Sequence, residues 1–239
     1  MSKKHRQKIY ETQFKRWAMN ALTGQELDAA RSAAQSAYRE LKSVVGALDD
    51  GAIDLILREA RSHYSWRDVP VSEEMLQAIY EISAAGPTSM NCCPARYVFV
   101  TSPEGKSRLA KSLKEKNIDK MMAAPVTAII AYDLEFWRKL PFLFPHEDRR
   151  PHFEGKSAHS EITAFRNGTL QGAYFMIAAR ALGLDVGAMS GFSNSAVDEE
   201  FFAGTSQRSN FLCNIGYADE CSLFQRLPRF AFGDVCSFE

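Results

Sequence analysis

A long apolar segment near the middle of the chain, residues 160–182, constrains the fold most strongly. Its hydrophobic residues spread over most of a helical circumference, and Gly183 follows as a helix-ending signal. A helix that is apolar on all sides must be buried on all sides. It is therefore either central in its own domain or shared by two subunits. We expect a homodimer with this long helix at the interface.

Compact runs of β-branched and aromatic residues alternate with helical segments around it. We predict four strands, at residues 97–100, 126–132, 186–189 and 211–217. We predict the other helices of this part of the chain at residues 53–60, 73–85 and 103–113. In the last of these, Ser102 is the N-cap and Pro103 the first helical residue. This order predicts an α+β fold, a three-layer α/β/α sandwich with a central mixed sheet.

The first fifty residues follow a different pattern. Residues 25–48 are rich in alanine and helical in period, and Asp49-Asp50-Gly51 interrupts them. We predict a helical N-terminal extension over residues 1–50, followed by one domain over residues 51–239. The extension either packs on that domain or embraces a partner subunit.

Charge and cysteine content exclude several classes of protein. The 239 residues carry 29 basic and 29 acidic side chains, so no net field favours nucleic acid or anionic membranes. Polar residues interrupt the apolar runs, and the basic N-terminus lacks the apolar core of a signal peptide. The five cysteines are odd in number and form no CxxC pair, which favours free thiols in a reducing cytoplasm. No metal-ligand spacing is present, so we expect no metal.

A polar loop lies between a predicted helix and strand. The helical pattern stops at Gly86-Pro87, and Thr88, Ser89 and Asn91 precede Pro94 and the strand. Hydroxyl, amide and backbone N–H groups on such a loop can bind a planar ligand rich in heteroatoms. An ordinary loop after a capped helix is the alternative.

Five clusters follow one another along the chain: ARSH (60–63), PTSMN (87–91), NIDK (117–120), GAMSGF (187–192) and RLPR (226–229). In this order they resemble the FMN-dependent nitroreductase superfamily over residues 53–239. Stretches such as RSHYSWRDVPV and FRNGTLQGAYFMIAARALGLD resemble its malonic semialdehyde reductase branch. The resemblance implies a homodimer with two FMN sites at the subunit interface and NAD(P)H as the electron donor.

The resemblance also implies a role for each cluster. Contacts to the FMN phosphate match Arg61, Ser62, His63 and Arg229. Contacts to the pyrimidine edge of the ring match Asn117 and Lys120, where a lysine stabilises the anionic reduced flavin. Contacts from the opposite subunit match Pro87, Thr88, Ser89 and Asn91. The turn along the ring matches Ala188, Met189, Ser190 and Gly191. No catalytic side chain is assigned, because the cofactor supplies the chemistry.

The implied activity is ping-pong hydride transfer from NAD(P)H to a small carbonyl acid such as malonic semialdehyde, giving 3-hydroxypropionate. A broad nitro- or quinone reductase and a flavin-binding protein without turnover are the alternatives. Many members of the superfamily have proline and glutamate where this chain has Ala188 and Ser190, which leaves room for an anionic substrate. Arg149, Arg150 and Arg166 are candidates to pair with its carboxylate.

Overall fold

A computed structural model describes residues 24–239. The helices of this part are α1 Gly24–Val44, α2 Asp50–Ile53, α3 Glu73–Ser83, α4 Pro103–Ala110, α5 Glu115–Ala123, α6 Leu140–Leu143, α7 Ser157–Ala181, α8 Asn194–Phe201 and α9 Phe232–Val235. The strands are β1 Ala95–Val100, β2 Val126–Asp133, β3 Asp185–Met189 and β4 Gln207–Gly216. A π-helical turn, Asp54–Arg58, extends α2, and one of the short 3₁₀ turns is Ser89–Asn91. None of the helices described is long and apolar enough to span a membrane.

The sheet has the strand order β1-β2-β4-β3. Every neighbouring pair of these strands is antiparallel, so the mixed pairing that we expected is not found within the described sheet. The β1–β2 connection contains two helices, α4 and α5, and is not the single crossover that makes neighbouring strands parallel. Among residues 24–239, parallel pairing is limited to an isolated bridge between Ser62 and Val186 at the outer edge of β3.

Helices cover both faces of the sheet, which confirms the expected three layers. On one face, Ile79 of α3 and Phe175 of α7 pack in a core cluster with Ile130. On the other face, residues of the helices α4, α5 and α8 pack with Ile129 of the same strand. Strand β2 lies in the middle of the sheet and is buried over seven of its eight residues. Its continuous apolar run is therefore the physical reason for the central position.

Helix α7 packs closely on the sheet through two glycines. A Cβ atom at Gly168 would lie 2.9 Å from Tyr132 Cβ, and one at Gly172 would lie 2.6 Å from the Phe211 ring. The opposite side of α7 stays exposed within one chain, through Ile162 (56%), Phe165 (50%), Leu170 (45%) and Tyr174 (39%). Within the described residues, burial of α7 on all sides is thus not achieved, because one layer of helices covers this face of the sheet.

Most predicted elements occur within a few residues of their expected bounds, but four of the described helices were missed, among them the short α6 and α9. The segment 117–120, which we read as a polar cluster before a strand, lies inside α5, and α8 follows β3 without having been predicted. Ser102 caps α4 as expected, since its Oγ accepts a hydrogen bond from Gly105 N at 3.1 Å. The predicted extension forms α1, and its residues 1–23 lie outside the described part of the chain.

Candidate functional site

The outer edge of β3 carries the segment that contains Arg61, Ser62 and His63. Ser62 forms the parallel bridge to Val186, and His63 N donates to Val186 O at 3.0 Å. A Cβ atom at Gly187 would lie 2.3 Å from His63 O, so only glycine permits this approach of two backbones. Gly187, the first residue of the GAMSGF cluster, thus allows the ARSH cluster to pack directly against β3.

His63 is buried and only partly paired. Its Nε2 lies 3.3 Å from Asp185 Oδ1, whereas its Nδ1 is buried and has no hydrogen-bond partner in the described protein. Burial lowers the pKa of His63, and the nearby guanidinium groups of Arg180 and Arg61 lower it further, against the opposing effect of Asp185. The histidine therefore stays neutral more readily than an exposed one and offers an unused polar atom.

Helix α5 contacts the turn after β3 through the side chain of Asn117. The buried Asn117 side chain donates from Nδ2 to Gly191 O at 3.1 Å, and Lys114 N donates to the same carbonyl at 3.0 Å. A Cβ atom at Gly191 would lie 2.3 Å from Asn117 Nδ2. Gly191 is thus selected for its small size, and Asn117 holds the turn after β3 rather than pointing freely into solvent.

Lys120 lies one turn further along α5 and faces the first segment. Its Nζ is 4.3 Å from the centre of the Tyr64 ring, a cation–π contact. A buried pair on the sheet fixes its backbone, because Asn214 Nδ2 donates to Lys120 O at 3.0 Å and Thr127 Oγ1 donates to Asn214 Oδ1 at 2.7 Å. Tyr64 was not among the predicted site residues, although it directly follows the ARSH cluster in the sequence.

An open pocket of about 300 Å³ lies beside the turn that follows β3. Its lining residues are Met176, Ala188, Met189, Ser190 and Phe211. Backbone groups alternate in direction along a strand, so those of Ala188 point to the same edge as the carbonyl of Val186. The pocket therefore combines apolar walls, a small hydroxyl and an edge of backbone donors and acceptors.

Cations surround the same edge of the sheet. Arg180 of α7 donates to the carbonyls of Ile56 and Arg61, both at 3.4 Å, and burial lowers its pKa. Arg61 donates in turn to the carbonyl of Phe224. With Lys120, these side chains make the region suitable for an anionic ligand, because charge-assisted hydrogen bonds are among the strongest in proteins.

The loop of Pro87, Thr88, Ser89 and Asn91 is held elsewhere, against α7. Ser89 N donates to Asn167 Oδ1 at 2.9 Å, and Cys93 N donates to Thr88 Oγ1 at 3.2 Å. Asn91 Nδ2 donates to Leu143 O at 2.8 Å, while Pro87 is exposed.

The same loop has a backbone conformation that non-glycine residues rarely adopt. Met90, Asn91 and Cys93 have φ angles of 51°, 49° and 39°. Left-handed conformations of this kind are sparsely populated and are maintained only where the surrounding structure enforces them. The fixed contacts to α7 and Leu143 supply that enforcement, so the loop presents a defined polar surface.

One chain does not bring all the predicted residues together. Arg229 lies in the exposed C-terminal segment and donates to the carbonyls of Leu227 and Pro228, at 3.2 and 3.0 Å. The hydrogen bonds of the polar loop go to α7 and Leu143 rather than to the region of Arg61, Asn117 and Lys120. Within one chain, the candidate site thus has one assembled part, the region of Arg61, Asn117 and Lys120. The polar loop and Arg229 are two separate parts.

The predicted carboxylate-binding arginines differ in their surroundings. Arg149 pairs with Glu147, and Arg150 pairs with Asp148 at 2.7 Å. The hydrogen bond from Arg150 lowers the pKa of Asp148 to about 2. Each of these two arginines is thus already paired with a neighbouring carboxylate. Arg166 is exposed on α7.

The chain is similar to several known proteins. A model of the Nitroreductase family matches residues 57–217. A Burkholderia lata protein that bears an NADH dehydrogenase/NAD(P)H nitroreductase name is 53% identical over 192 residues, covering 80% of this chain and 98% of its own. A Stenotrophomonas maltophilia protein of the same name is 55% identical over 189 residues, covering 79% and 96%.

A solved structure has the same fold. It is a nitroreductase from Exiguobacterium sibiricum in complex with FMN. It superimposes with a TM-score of 0.68 at 23% identity and covers 81% of this chain and 98% of its own.

Proposed function

Because this chain belongs to the nitroreductase family, we propose that it is an FMN-dependent oxidoreductase that takes electrons from NAD(P)H. The observation that carries the proposal is the convergence of three distant segments at the edge of β3: Arg61–His63, the Asn117–Lys120 turn of α5, and residues 188–191. The five cysteines are all free, which is compatible with the reducing cytoplasm that we propose as its location.

The residues at this edge fit FMN in charge and in hydrogen-bonding capacity. Arg61 and Ser62 offer donors close to each other, as a phosphate site requires, beside the buried side chain of His63. Lys120 supplies the positive charge that we propose for the pyrimidine edge of the ring, with Asn117 holding the turn beside it. When bound, FMN accepts a hydride from NAD(P)H and delivers it to the second substrate.

The protein contributes orientation and electrostatics to that reaction. Lys120 is held by the cation–π contact to Tyr64 and by the fixed backbone of α5, so its charge is preorganised. The pocket beside Met189 and Ser190 receives first the nicotinamide and then the second substrate, which is the ping-pong order that we propose. None of these roles requires a covalent bond to a side chain.

We further propose that the active form is a homodimer. The apolar side of α7 is exposed, and the C-terminal segment exposes Phe224 (76%), Leu227 (72%), Phe230 (80%) and Phe238 (89%). Apolar surface of this extent is typical of an interface. A second subunit also accounts for the separate parts of the site, since its polar loop (Pro87–Asn91) and its Arg229 can complete the cradle that one chain leaves open.

For the second substrate we propose a small carbonyl acid such as malonic semialdehyde, reduced to 3-hydroxypropionate. Its support is the neutral turn of Ala188 and Ser190 beside a cationic edge, which suits a small anion. The rival is a nitro- or quinone reductase. Its support is the apolar lining by Met176 and Phe211, which suits a planar aromatic ring.

The visible spectrum of the purified protein tests the cofactor. We expect a yellow protein that NADH or NADPH bleaches under anaerobic conditions. A yellow protein that neither nucleotide bleaches would indicate flavin binding without turnover. A colourless protein that also fails to bind added FMN would refute the proposal altogether.

Steady-state rates then separate the two substrate classes. We expect a higher kcat/KM for malonic semialdehyde than for nitrofurazone or a quinone, measured with the same reduced nucleotide. Much faster turnover of the nitroaromatic compound would favour the rival activity on the same site.

Light scattering tests the homodimer. We expect a dimer for the unmodified chain and a shift toward monomer for Phe165→Glu, with Lys111→Glu at the exposed end of α4 as a control. A monomeric native protein that retains full activity would exclude the shared site.

A further inference from the structure

Within residues 24–239, helix α1 is a surface helix whose side chains are exposed or, at Leu27 and Ala30, half-buried. It is 21 residues long and none of its residues is buried. Its large side chains near the C-terminal end are strongly exposed, with Tyr38 at 64%, Leu41 at 58% and Val44 at 79%. The Nitroreductase model begins at residue 57, so the fold of the body is complete without this helix. Of the two arrangements expected for the extension, packing on the body is not found for α1.

The apolar residues of α1 follow a seven-residue repeat. Leu27, Ala34 and Leu41 are spaced by seven, and so are Ala30, Ala37 and Val44, three residues further on. These are the a and d positions of three heptads, and they form one stripe along the helix. A period of seven residues is suited to a second helix that coils around the first, rather than to a flat sheet or an irregular surface.

The order of side-chain sizes indicates which helix fits. The small residues Ala30, Ala34 and Ala37 follow one another, so parallel pairing in register would place three alanine layers together and leave leucine layers at the ends. Antiparallel pairing with a second copy gives more even layers, in which Leu27 faces Val44 and Ala30 faces Leu41. Ala34 then faces Ala37 at the centre. The stripe is therefore complementary to itself when reversed.

The flanking charges agree with the same arrangement. In this register Arg31 lies beside Tyr38 of the second copy, and Glu40 lies beside Ala33, so no like charges meet. We propose that α1 pairs with α1 of a second copy of this chain as an antiparallel two-stranded coiled coil. Three heptads form a weak pair by themselves, and the bodies strengthen it by raising the effective concentration of the helices.

Disulfide cross-linking of the full-length chain tests the pairing and its direction. The background carries Cys221→Ser and Cys236→Ser, which remove the two exposed native thiols. The inward variant carries Ala30→Cys and Leu41→Cys, two positions that face each other only across the antiparallel pair. They lie about 16 Å apart along one helix, too far for a bridge within the chain. The matched outward variant carries Ser32→Cys and Ser43→Cys, which have the same spacing on the other side of α1.

After mild oxidation we expect at least tenfold more covalent dimer from the inward variant than from the outward variant. Equal yields from both variants, or no dimer from either, would overturn the proposal. Efficient cross-linking of Leu41→Cys alone would indicate parallel pairing and would overturn the direction. Flavin colour and light scattering of the uncross-linked protein report on the body separately, so failure of the coiled coil is distinct from failure of the proposed function.

Discussion

Replacing Gly187 with alanine tests whether the first segment lies on β3, because the change removes no polar group. The added Cβ atom would lie 2.3 Å from His63 O, and ordinary contact begins at 3.4 Å. The two backbones must therefore separate by about 1 Å. Overpacking of this kind costs about 1–3 kcal/mol, and loss of the His63 N to Val186 O hydrogen bond adds about 0.5–1.5 kcal/mol.

The expected destabilisation by Gly187→Ala is about 2–4 kcal/mol, which lowers the melting temperature by about 4–16 °C for a chain of this size. Calorimetry gives the temperature, and the absorbance ratio of flavin to protein gives the retained FMN, which we also expect to fall. Gly51→Ala is the control, since its Cβ would meet only Asp49 Oδ1 at 3.5 Å. Unchanged stability and flavin content in Gly187→Ala would refute the proposed contact of this segment with β3.

Three further substitutions test charge at the site and in the core, with exposed Lys111→Met as the control for both lysines. Lys120→Met should weaken FMN retention by roughly 10- to 150-fold in equilibrium dialysis, because one charge-assisted contact is lost. Lys106→Met should lower the free energy of unfolding in urea by about 3 kcal/mol, because its buried Nζ caps three carbonyls at the end of α5. Burial lowers the pKa of His63, so the unfolded chain takes up a proton first as the pH falls below 6.5, and stability falls with it. His63→Gln should therefore flatten the decline of the melting temperature between pH 7 and pH 5, whereas an unchanged decline would show that this histidine is not its source.

Local chemistry accounts for the elements that could be predicted. The N-cap Ser102 with Pro103, the apolar run of β2 and the helix stop at Gly183 depend on neighbours in the sequence, and the structure has each of them. Helix α5 was missed because its residues are mostly polar and its one buried face is short, with Asn117 and Met121 as the buried residues. The direction of the strands was missed because it depends on which strands become neighbours in the sheet, and no local pattern of residues specifies that.

The candidate site, like the fold, could be predicted from the sequence only in part. The sequence by itself marked five clusters and the residue types that an anionic, planar ligand needs, since charge, hydrogen-bonding groups and glycine are read directly from it. Only the tertiary structure decided that Gly187 admits the backbone of His63, that Gly191 admits Asn117, and that Lys120 lies over Tyr64. These contacts join residues far apart in the chain, and such proximity is determined by packing of whole layers rather than by local propensity. The same reason explains why the face of α7 was expected to be buried, whereas the described residues leave it exposed.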